Sequence, residues 1–246
     1  QGVSSAASDV YKRQSMDHED DDPGTTWNQR ARADKPDWMS PRMAWRAIQS
    51  ALPKNAIISS DIGNNCAIGN AYPSFDEGRK YLAPGLFGPC GYGLPSIVGA
   101  KIGQPDVPVV GFAGDGAFGI AVNELTAIGR DEWPAVTQIV FRNYQWGAEK
   151  RNSTLWFDDN FVGTELDTKV SYAGIAQACG LQGVQVKTME ELTAVLNQAI
   201  KDQMENNKTT LIEVILNQEL GEPFRRDAMK KPVQVAGVAA ADMAAE

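Results

Sequence analysis

The chain contains 246 residues, 43% of them hydrophobic, which is enough for one α/β domain with a sizeable core or for two small domains. Its formal net charge of −8 and the lack of any basic run argue against nucleic acid as a partner. No apolar stretch approaches the length of a membrane span. We therefore expect a soluble, cytoplasmic protein that binds neither nucleic acid nor a membrane.

Cysteine and histidine patterns exclude several kinds of site. Cys66, Cys90 and Cys179 are widely spaced and form no CxxC pair, so the sequence predicts neither a disulfide framework nor a zinc site. The single histidine, His18, lies in the acidic sequence MDHEDDDPG, and no Ser-His-Asp triad can be built from the rest of the chain. Any chemistry must therefore come from a bound cofactor or from another chain.

The first predicted elements follow a polar segment. Residues 1–39 are expected to be a disordered leader and linker, with 1–14 either a leader or an artefact of cloning or sequence assembly. Ser40 and Pro41 predict the start of a helix, because Ser is a favoured N-cap and Pro suits the first helical position. A strand is predicted over 56–60, and it ends at the polar sequence DIGNN.

A glycine-rich block, FGPCGYGLP, covers residues 87–95. Apolar and aromatic residues among three glycines suggest a backbone that lies flat against a planar ligand, ahead of a helix over 95–101. A glycine-rich turn without a ligand is the alternative. A dinucleotide-binding GxGxxG loop is disfavoured, because the third glycine is missing and no strand precedes the block.

The central stretch predicts a strand, a helix and a second strand. The first strand, over 107–112, leads into Gly114, Asp115 and Gly116, and the second, over 137–141, leads into Asn143 and Gln145. If the two strands are neighbours in a parallel sheet, Asp115 and Asn143 emerge side by side. A carboxylate, an amide oxygen and a backbone carbonyl make a partial oxygen shell suited to Mg²⁺, which a diphosphate and water would complete.

The remaining pattern alternates helices and strands. We predict a short helix from residue 146, a segment without clear period over 153–166, helices over 171–179 and 190–205, and strands over 184–187 and 209–216. This alternation predicts an α/β fold in which a parallel sheet carries helices on both faces. The ordered domain is expected to span 40–220, followed by a tail over 221–246.

The Gly-Asp-Gly turn, a helix and a strand ending in Asn resemble the thiamine diphosphate motif of the acetolactate synthase and pyruvate oxidase superfamily. The resemblance implies the diphosphate-binding fold of that superfamily, thiamine diphosphate as the cofactor, and Mg²⁺ held by Asp115, Asn143 and Gln145. Arg142 replaces the first Asn of the usual Asn-Asn pair, and Cys90 stands where a bulky apolar side chain is usual. We expect further cofactor contacts at the strand ends and in the glycine-rich block, from Asp61, Gly63, Asn64, Asn65, Gly88, Cys90, Gly114, Gly116 and Ala117.

Longer segments resemble the sulfoacetaldehyde acetyltransferase family: FRNYQWGAEKRNSTLWFDDNFVGTEL, LGEPFRRDAMKKPV and the glycine-rich block. The resemblance implies conversion of sulfoacetaldehyde and phosphate to acetyl phosphate and sulfite. Cationic candidates for these two anions are Lys150, Arg151, Arg225 and Arg226, although charges such as Lys150 and Arg151 more often lie on a solvated face.

The same resemblance also indicates which parts of the family's proteins this chain is expected to contain. Family members carry the activating Glu in an earlier domain and assemble as homo-oligomers. We therefore expect this chain to be a fragment without a catalytic residue of its own, inactive alone. The alternatives are another thiamine diphosphate enzyme, such as an acetolactate synthase or a pyruvate oxidase, and a non-catalytic subunit with this fold.

Overall fold

A computed structural model of the chain describes residues 38–219, apart from positions 71, 77, 79, 158 and 159. The strands are β1 (Ile57–Ser60), β2 (Tyr81–Leu82), β3 (Val109–Gly114), β4 (Thr137–Arg142), β5 (Gln182–Val186) and β6 (Thr210–Ile215). The helices are α1 (Pro41–Ala51), α2 (Asn64–Gly69), α3 (Gly93–Gly103), α4 (Asp115–Ala121), α5 (Leu125–Ile128), α6 (Gly147–Trp156), α7 (Tyr172–Ala178) and α8 (Met189–Asn206), with a 3₁₀ turn over Val122–Glu124.

The strands form a six-stranded sheet in the order β2-β1-β3-β4-β6-β5, and every neighbouring pair is parallel. The two central strands, β3 and β4, are buried except for Gly114 at the end of β3, which explains why residues 109–113 and 139–141 are apolar on both faces of the sheet. Phe112 and Phe141 pack on one face in a cluster with α1 and α8, while Ala113 and Val140 pack on the other with α3, α5 and α7. The predicted parallel sheet with helices on both faces is confirmed.

The first helix forms as its sequence predicts. Ser40 accepts a hydrogen bond from the backbone N–H of Met43, and Pro41 occupies the first helical position. The helix buries the indole of Trp45, whose Nε1 donates to the backbone carbonyl of Asn65 at 2.9 Å. Met39, just before this helix, is part of the core as well: its side chain is buried, and its backbone carbonyl accepts a hydrogen bond from the backbone N–H of Asn217.

The register of the sheet positions the predicted site. Gly114 of β3 lies opposite Phe141 of β4, so Asp115 and Asn143 follow neighbouring parallel strands and emerge at the same edge. The predicted side-by-side arrangement of these two residues is therefore confirmed. Asp61 leaves β1 at this edge as well, and its backbone N–H donates to the carbonyl of Phe112.

Several elements differ from the sequence prediction. The short edge strand β2 was not predicted, and the helix after β3 is divided into α4, the 3₁₀ turn and α5. Helix α6 continues to Trp156, inside a segment that showed no clear period. Within the described part of the chain, none of the helices combines the length and the apolar character that a membrane span requires.

Candidate cofactor-binding site

Asp115 lies at the first position of α4, directly after β3, and is 1% exposed. Its Oδ1 accepts a hydrogen bond from the backbone N–H of Gly116 at 3.0 Å. Its Oδ2 accepts two, from the backbone N–H of Tyr144 at 2.7 Å and from Nη1 of Arg142 at 3.0 Å. Groups at the ends of two neighbouring strands therefore fix the orientation of this carboxylate.

The electrostatic surroundings of Asp115 favour an additional cation. Burial raises the pKa of Asp115 to about 6, although Arg142 and the backbone N–H groups act in the opposite direction. The neighbouring groups therefore compensate the buried negative charge only in part. A cation bound to the carboxylate would supply the missing compensation.

Asn143 and Gln145 lie beside Asp115 and are 2% and 3% exposed. Gln218 connects them. Its side-chain Nε2 donates to the backbone carbonyl of Asn143 at 3.3 Å, and its backbone carbonyl accepts from Nε2 of Gln145 at 3.0 Å. The Oε1 atom of Gln145 is buried and has no hydrogen-bond partner among the described residues. The loop after β4 is therefore held in place while polar oxygen atoms remain for a ligand.

The donor set at this edge fits Mg²⁺. It consists of a carboxylate, amide oxygens and backbone carbonyls, which are the ligands of a hard cation. Across the described ranges no three His, Cys, Asp or Glu side chains cluster as a metal site, so the soft or nitrogen-rich donor sets of transition metals are not found there. The oxygen atoms of Asp115, Asn143 and Gln145 are of the kind that such a cation requires.

Glycines leave room for a ligand beside these donors. A Cβ atom at Gly63 or at Gly114 would meet no atom within 4 Å, so both backbones border open space. Gly63 caps α2 with a φ of +121°, a conformation that L side chains rarely adopt. Asn64 and Asn65 follow it and are buried, and the Oδ1 atom of Asn65 has no partner within the described chain. This part of the edge suits a closely approaching diphosphate.

Asp61 holds the glycine-rich block rather than facing open space. Its carboxylate accepts hydrogen bonds from the backbone N–H groups of Ile62 at 2.8 Å, Gly91 at 3.2 Å and Gly93 at 2.7 Å. Burial raises its pKa, and these hydrogen bonds oppose the increase. These hydrogen bonds fix the block against the end of β1, and the contact of Asp61 with a cofactor stays a prediction.

The other predicted residues of the block and of α4 lie close by. Gly88 has a φ of +58°, and a Cβ there would lie 2.5 Å from Cδ1 of Ile62, so no other residue fits without a shift. Cys90 is half-buried, and burial raises the pKa of its thiol with smaller contributions from Asp61 and Glu149. Gly116 and Ala117 are buried in the first turn of α4.

The predicted cations have structural partners. Nζ of Lys150 pairs with Oε1 of Glu165 at 2.5 Å and lies 3.3 Å from Oε1 of Gln218. Arg151 is only 8% exposed, and its Nη1 donates to Oδ1 of Asn64 at 3.0 Å, so it does not lie on a solvated face. Arg225 and Arg226 lie outside the described residues.

Sequence analysis missed the partners of Arg142. The structure places this side chain between Asp115 and Glu213, both 1% exposed. Arg142 lies in the mostly apolar strand β4 and Glu213 in the mostly apolar strand β6. Opposite charges in two buried strands are the signal that could have identified the ion pair. Gln218 was missed as well, since no local pattern connects it to the loop after β4.

A parallel sheet with a buried carboxylate, amide oxygens and glycines at adjacent strand ends defines a class of diphosphate-binding domains. A family model described as the thiamine pyrophosphate enzyme, C-terminal TPP binding domain, matches residues 61–214. The chain belongs to this family.

The chain is also similar to individual proteins of known name. Over 229 residues the chain is 83% identical to sulfoacetaldehyde acetyltransferase of Roseovarius nubinhibens and 79% identical to that of Rhodobacter capsulatus. These alignments cover 93% of this chain but only 38% and 39% of the relatives. Among solved structures, the thiamine diphosphate-dependent 4-hydroxybenzoylformate decarboxylase of Rhodococcus jostii RHA1 matches 73% of this chain and 33% of its own, with a TM-score of 0.64 and 25% identity.

Proposed function

We propose that this chain supplies the thiamine diphosphate- and Mg²⁺-binding domain of a sulfoacetaldehyde acetyltransferase. The observation that carries the cofactor site is the buried, fully oriented carboxylate of Asp115 beside Asn143. The identity of 83% to a sulfoacetaldehyde acetyltransferase supports the choice of substrates, sulfoacetaldehyde and phosphate, and of products, acetyl phosphate and sulfite.

The residues of this chain have distinct tasks in the proposal. Asp115, Asn143 and Gln145 hold Mg²⁺, and Gly63 and Gly114 allow the diphosphate to approach the backbone. When bound, thiamine diphosphate supplies the electron sink for breaking and forming bonds at the acyl carbon. The protein binds and orients the reacting groups, and Asp61 contributes by fixing the glycine-rich block. Cys90, Gly88, Asn64, Asn65, Gly116 and Ala117 are proposed to line the same site.

Binding of the two anionic substrates requires cations. Lys150, Arg151, Arg225 and Arg226 remain our candidates, because sulfonate and phosphate both form charge-assisted hydrogen bonds with such groups. Lys150 and Arg151 are already engaged with Glu165 and Asn64, so a substrate would have to compete with these contacts. We also propose a cytoplasmic homo-oligomer without nucleic-acid or membrane partners, and the net charge of −8 supports the exclusion of nucleic acid.

An activity assay tests the proposal. The full reading frame that encodes this chain is supplied with sulfoacetaldehyde, phosphate, Mg²⁺ and thiamine diphosphate, and acetyl phosphate and sulfite are followed together. Equimolar release of both, lost in Asp115→Ala and retained in the exposed control Asp131→Ala, is expected. If neither product is released but thiamine diphosphate still binds in a Mg²⁺-dependent way, the proposed substrates are wrong and the proposed cofactor site stands. Carboligation of pyruvate instead would identify an acetolactate synthase.

A further inference from the structure

Arg142 connects the candidate metal ligand to a second buried carboxylate. The side chains of Arg142, Asp115 and Glu213 are each 1% exposed. Nη1 of Arg142 lies 3.0 Å from Oδ2 of Asp115, and its Nε lies 3.6 Å from Oε1 of Glu213. One cation therefore serves two carboxylates inside the protein.

The guanidinium is held rigidly between these carboxylates. Its Nη2 donates to the backbone carbonyls of Asp167 and, at 3.1 Å, of Val170. The guanidinium carbon also lies 4.2 Å from the centre of the Tyr144 ring and 5.2 Å from that of Tyr172. These contacts orient the guanidinium toward Asp115.

Glu213 is fixed independently of Arg142. Its Oε2 accepts hydrogen bonds from Oγ of Ser171 at 3.0 Å, from the backbone N–H of Ala173 at 3.2 Å and from Nε2 of Gln185 at 3.5 Å. These three hydrogen bonds fix Oε2, whereas Oε1 is buried without a hydrogen-bond partner among the described residues and has the guanidinium of Arg142 as its charged neighbour. Glu213 offers the guanidinium a fixed negative partner on the side away from Asp115.

The hydrogen bonds divide the two oxygens of Asp115 between different tasks. Oδ2 accepts from Arg142 and from the backbone of Tyr144, whereas Oδ1 accepts only from the backbone of Gly116. A carboxylate oxygen has two lone-pair positions, so Oδ1 keeps one for a further ligand and Oδ2 does not. An unpaired arginine beside a metal would repel it, and Glu213 offsets that charge.

We propose that Arg142 is a positioning residue that engages Oδ2 of Asp115 and thereby directs Oδ1 to the metal, with Glu213 as its counter-charge. This inference rests on the proposed metal site at Asp115. In this proposal Arg142 acts only through Asp115. The competing role is a purely structural one, in which Arg142 merely compensates the buried charge of Glu213.

A charge-conserving double variant separates the two roles. Arg142→Met with Glu213→Gln removes one positive and one negative charge, so the net charge of the cluster is unchanged. In the double variant Asp115 loses its cationic partner and the backbone carbonyls of Asp167 and Val170 lose their donor, so a lower melting temperature than that of the wild type is expected, and Mn²⁺ binding is measured well below it. If Arg142 positions Asp115, the variant still loses metal affinity; a structural role leaves the affinity as in the wild type.

The measurement is Mn²⁺ binding in the presence of thiamine diphosphate, followed by electron paramagnetic resonance in the full reading frame. Loss of a group that orients a metal ligand costs about 10–100-fold in affinity, and we expect a change in that range. The matched control is Arg130→Met with Glu132→Gln, which removes an exposed ion pair of 3.3 Å and should change nothing. Wild-type affinity in the Arg142 and Glu213 double variant would overturn the inference.

Two further variants keep the result interpretable. Arg142→Lys retains the charge opposite Glu213, but one ammonium cannot reproduce the planar set of donors to Asp115, Asp167 and Val170, so weaker Mn²⁺ binding is expected in a folded protein. Wild-type affinity in Arg142→Lys would also contradict the inference. Asp115→Asn tests the metal site itself, and unchanged Mn²⁺ binding in that variant would overturn the site together with the inference.

Discussion

Asp115 is a buried carboxylate that costs the folded protein stability. Its oxygens accept three hydrogen bonds, one of them from Arg142, yet burial still raises its pKa to about 6. A carboxylate retained in such a position destabilises the folded protein when it is ionised and no metal is bound. The folded protein is therefore destabilised at the position that we propose to hold the metal.

This cost has a defined pH dependence. Because the pKa of Asp115 is about 6 in the folded protein against 3.8 for the free group, the folded state binds more protons between these values and loses stability as pH rises through them. The Asp115→Asn variant has no titrating group at this position, so it does not lose this stability as the pH rises. The free energy of unfolding of the variant relative to the wild type should therefore rise by about 1 kcal/mol between pH 5 and pH 7.5.

Thermal denaturation in metal-free buffer at the two pH values measures the effect of Asp115→Asn, and about 1 kcal/mol corresponds to roughly 2–4 °C for a domain of this size. Comparing variant and wild type at each pH cancels the titration of all other groups. A difference in melting temperature that stays constant, or shrinks toward pH 7.5, would show that Asp115 is not destabilised by burial.

Gly114 provides a second test at the level of one residue. Its φ of −72° and ψ of 159° suit any amino acid, and an added Cβ meets no atom within 4 Å, so Gly114→Ala should fold with unchanged stability. The new methyl group would occupy the space proposed for the diphosphate. We expect thiamine diphosphate to bind at least about tenfold more weakly, measured by calorimetry with Mg²⁺ present.

The control for Gly114→Ala is Gly99→Ala, in the interior of α3, where a Cβ also meets no atom within 4 Å. This substitution should stabilise the helix by about 1 kcal/mol and leave the affinity for the cofactor unchanged. Equal affinities in the two alanine variants would exclude close approach of the cofactor to Gly114.

Among the secondary-structure elements, α1 supports α2 through one side chain. The indole of Trp45 packs 4.7 Å from the ring of Phe112 and 5.3 Å from that of Phe141, and its Nε1 donates to the carbonyl of Asn65. A Cβ on Gly69, at the end of α2, would lie 2.0 Å from the indole, which shows how closely the two helices pack. The position of Asn64 and Asn65 therefore depends on a core residue of α1.

Trp45→Phe should destabilise the protein by about 2–3 kcal/mol, because it leaves the Asn65 carbonyl without its donor and opens a cavity in the core. Urea denaturation measures the change. Trp133→Phe, at a position 36% exposed, is the matched control and should fall within about 0.5 kcal/mol of the wild type. Equal effects of the two substitutions would contradict the support that α1 gives to α2.

Elements with local signals could be predicted from sequence, and those that depend on the strand order could not. The start of α1 follows from Ser40 and Pro41, and Gly114 and Asp115 mark the end of β3, because capping and turn residues act on their immediate neighbours. Strand β2 has two residues at a sheet edge, too few to show a period. Its existence depends on pairing with β1.

The same distinction applies to the site. The proximity of Asp115 and Asn143 follows from consecutive parallel strands, so the sequence sufficed. Arg142 meets Glu213 only because β6 pairs with β4, and two of the hydrogen bonds to Asp61 come from a block about thirty positions later in the chain. Non-local contacts of this kind require the sheet order, which local patterns do not contain.

On the scale of the whole molecule, the site assembles where four strands end. Residues after β1, β3, β4 and β6 meet at one edge, and the contacts of Gln218 with Asn143 and Gln145 join the last of these segments to the loop after β4. Ligands of open α/β sheets bind at this carboxyl edge as a rule. Binding a ligand there should therefore stabilise the fold as a unit.

Thiamine diphosphate and Mg²⁺ together should raise the melting temperature of the protein, and either one alone should have little effect. Without a metal, the buried carboxylate of Asp115 would repel a diphosphate, and a divalent cation held there, as we propose, would offset this repulsion. Cofactor at a concentration about 100-fold above its dissociation constant would add about 2.7 kcal/mol to the free energy of unfolding, a shift of several degrees. Thermal shift assays with and without a chelator measure the difference, with thiamine lacking the diphosphate as the control. A shift by thiamine diphosphate that persists undiminished in the chelator would mean that this chain holds the diphosphate without a metal, and Asp115 would need another role.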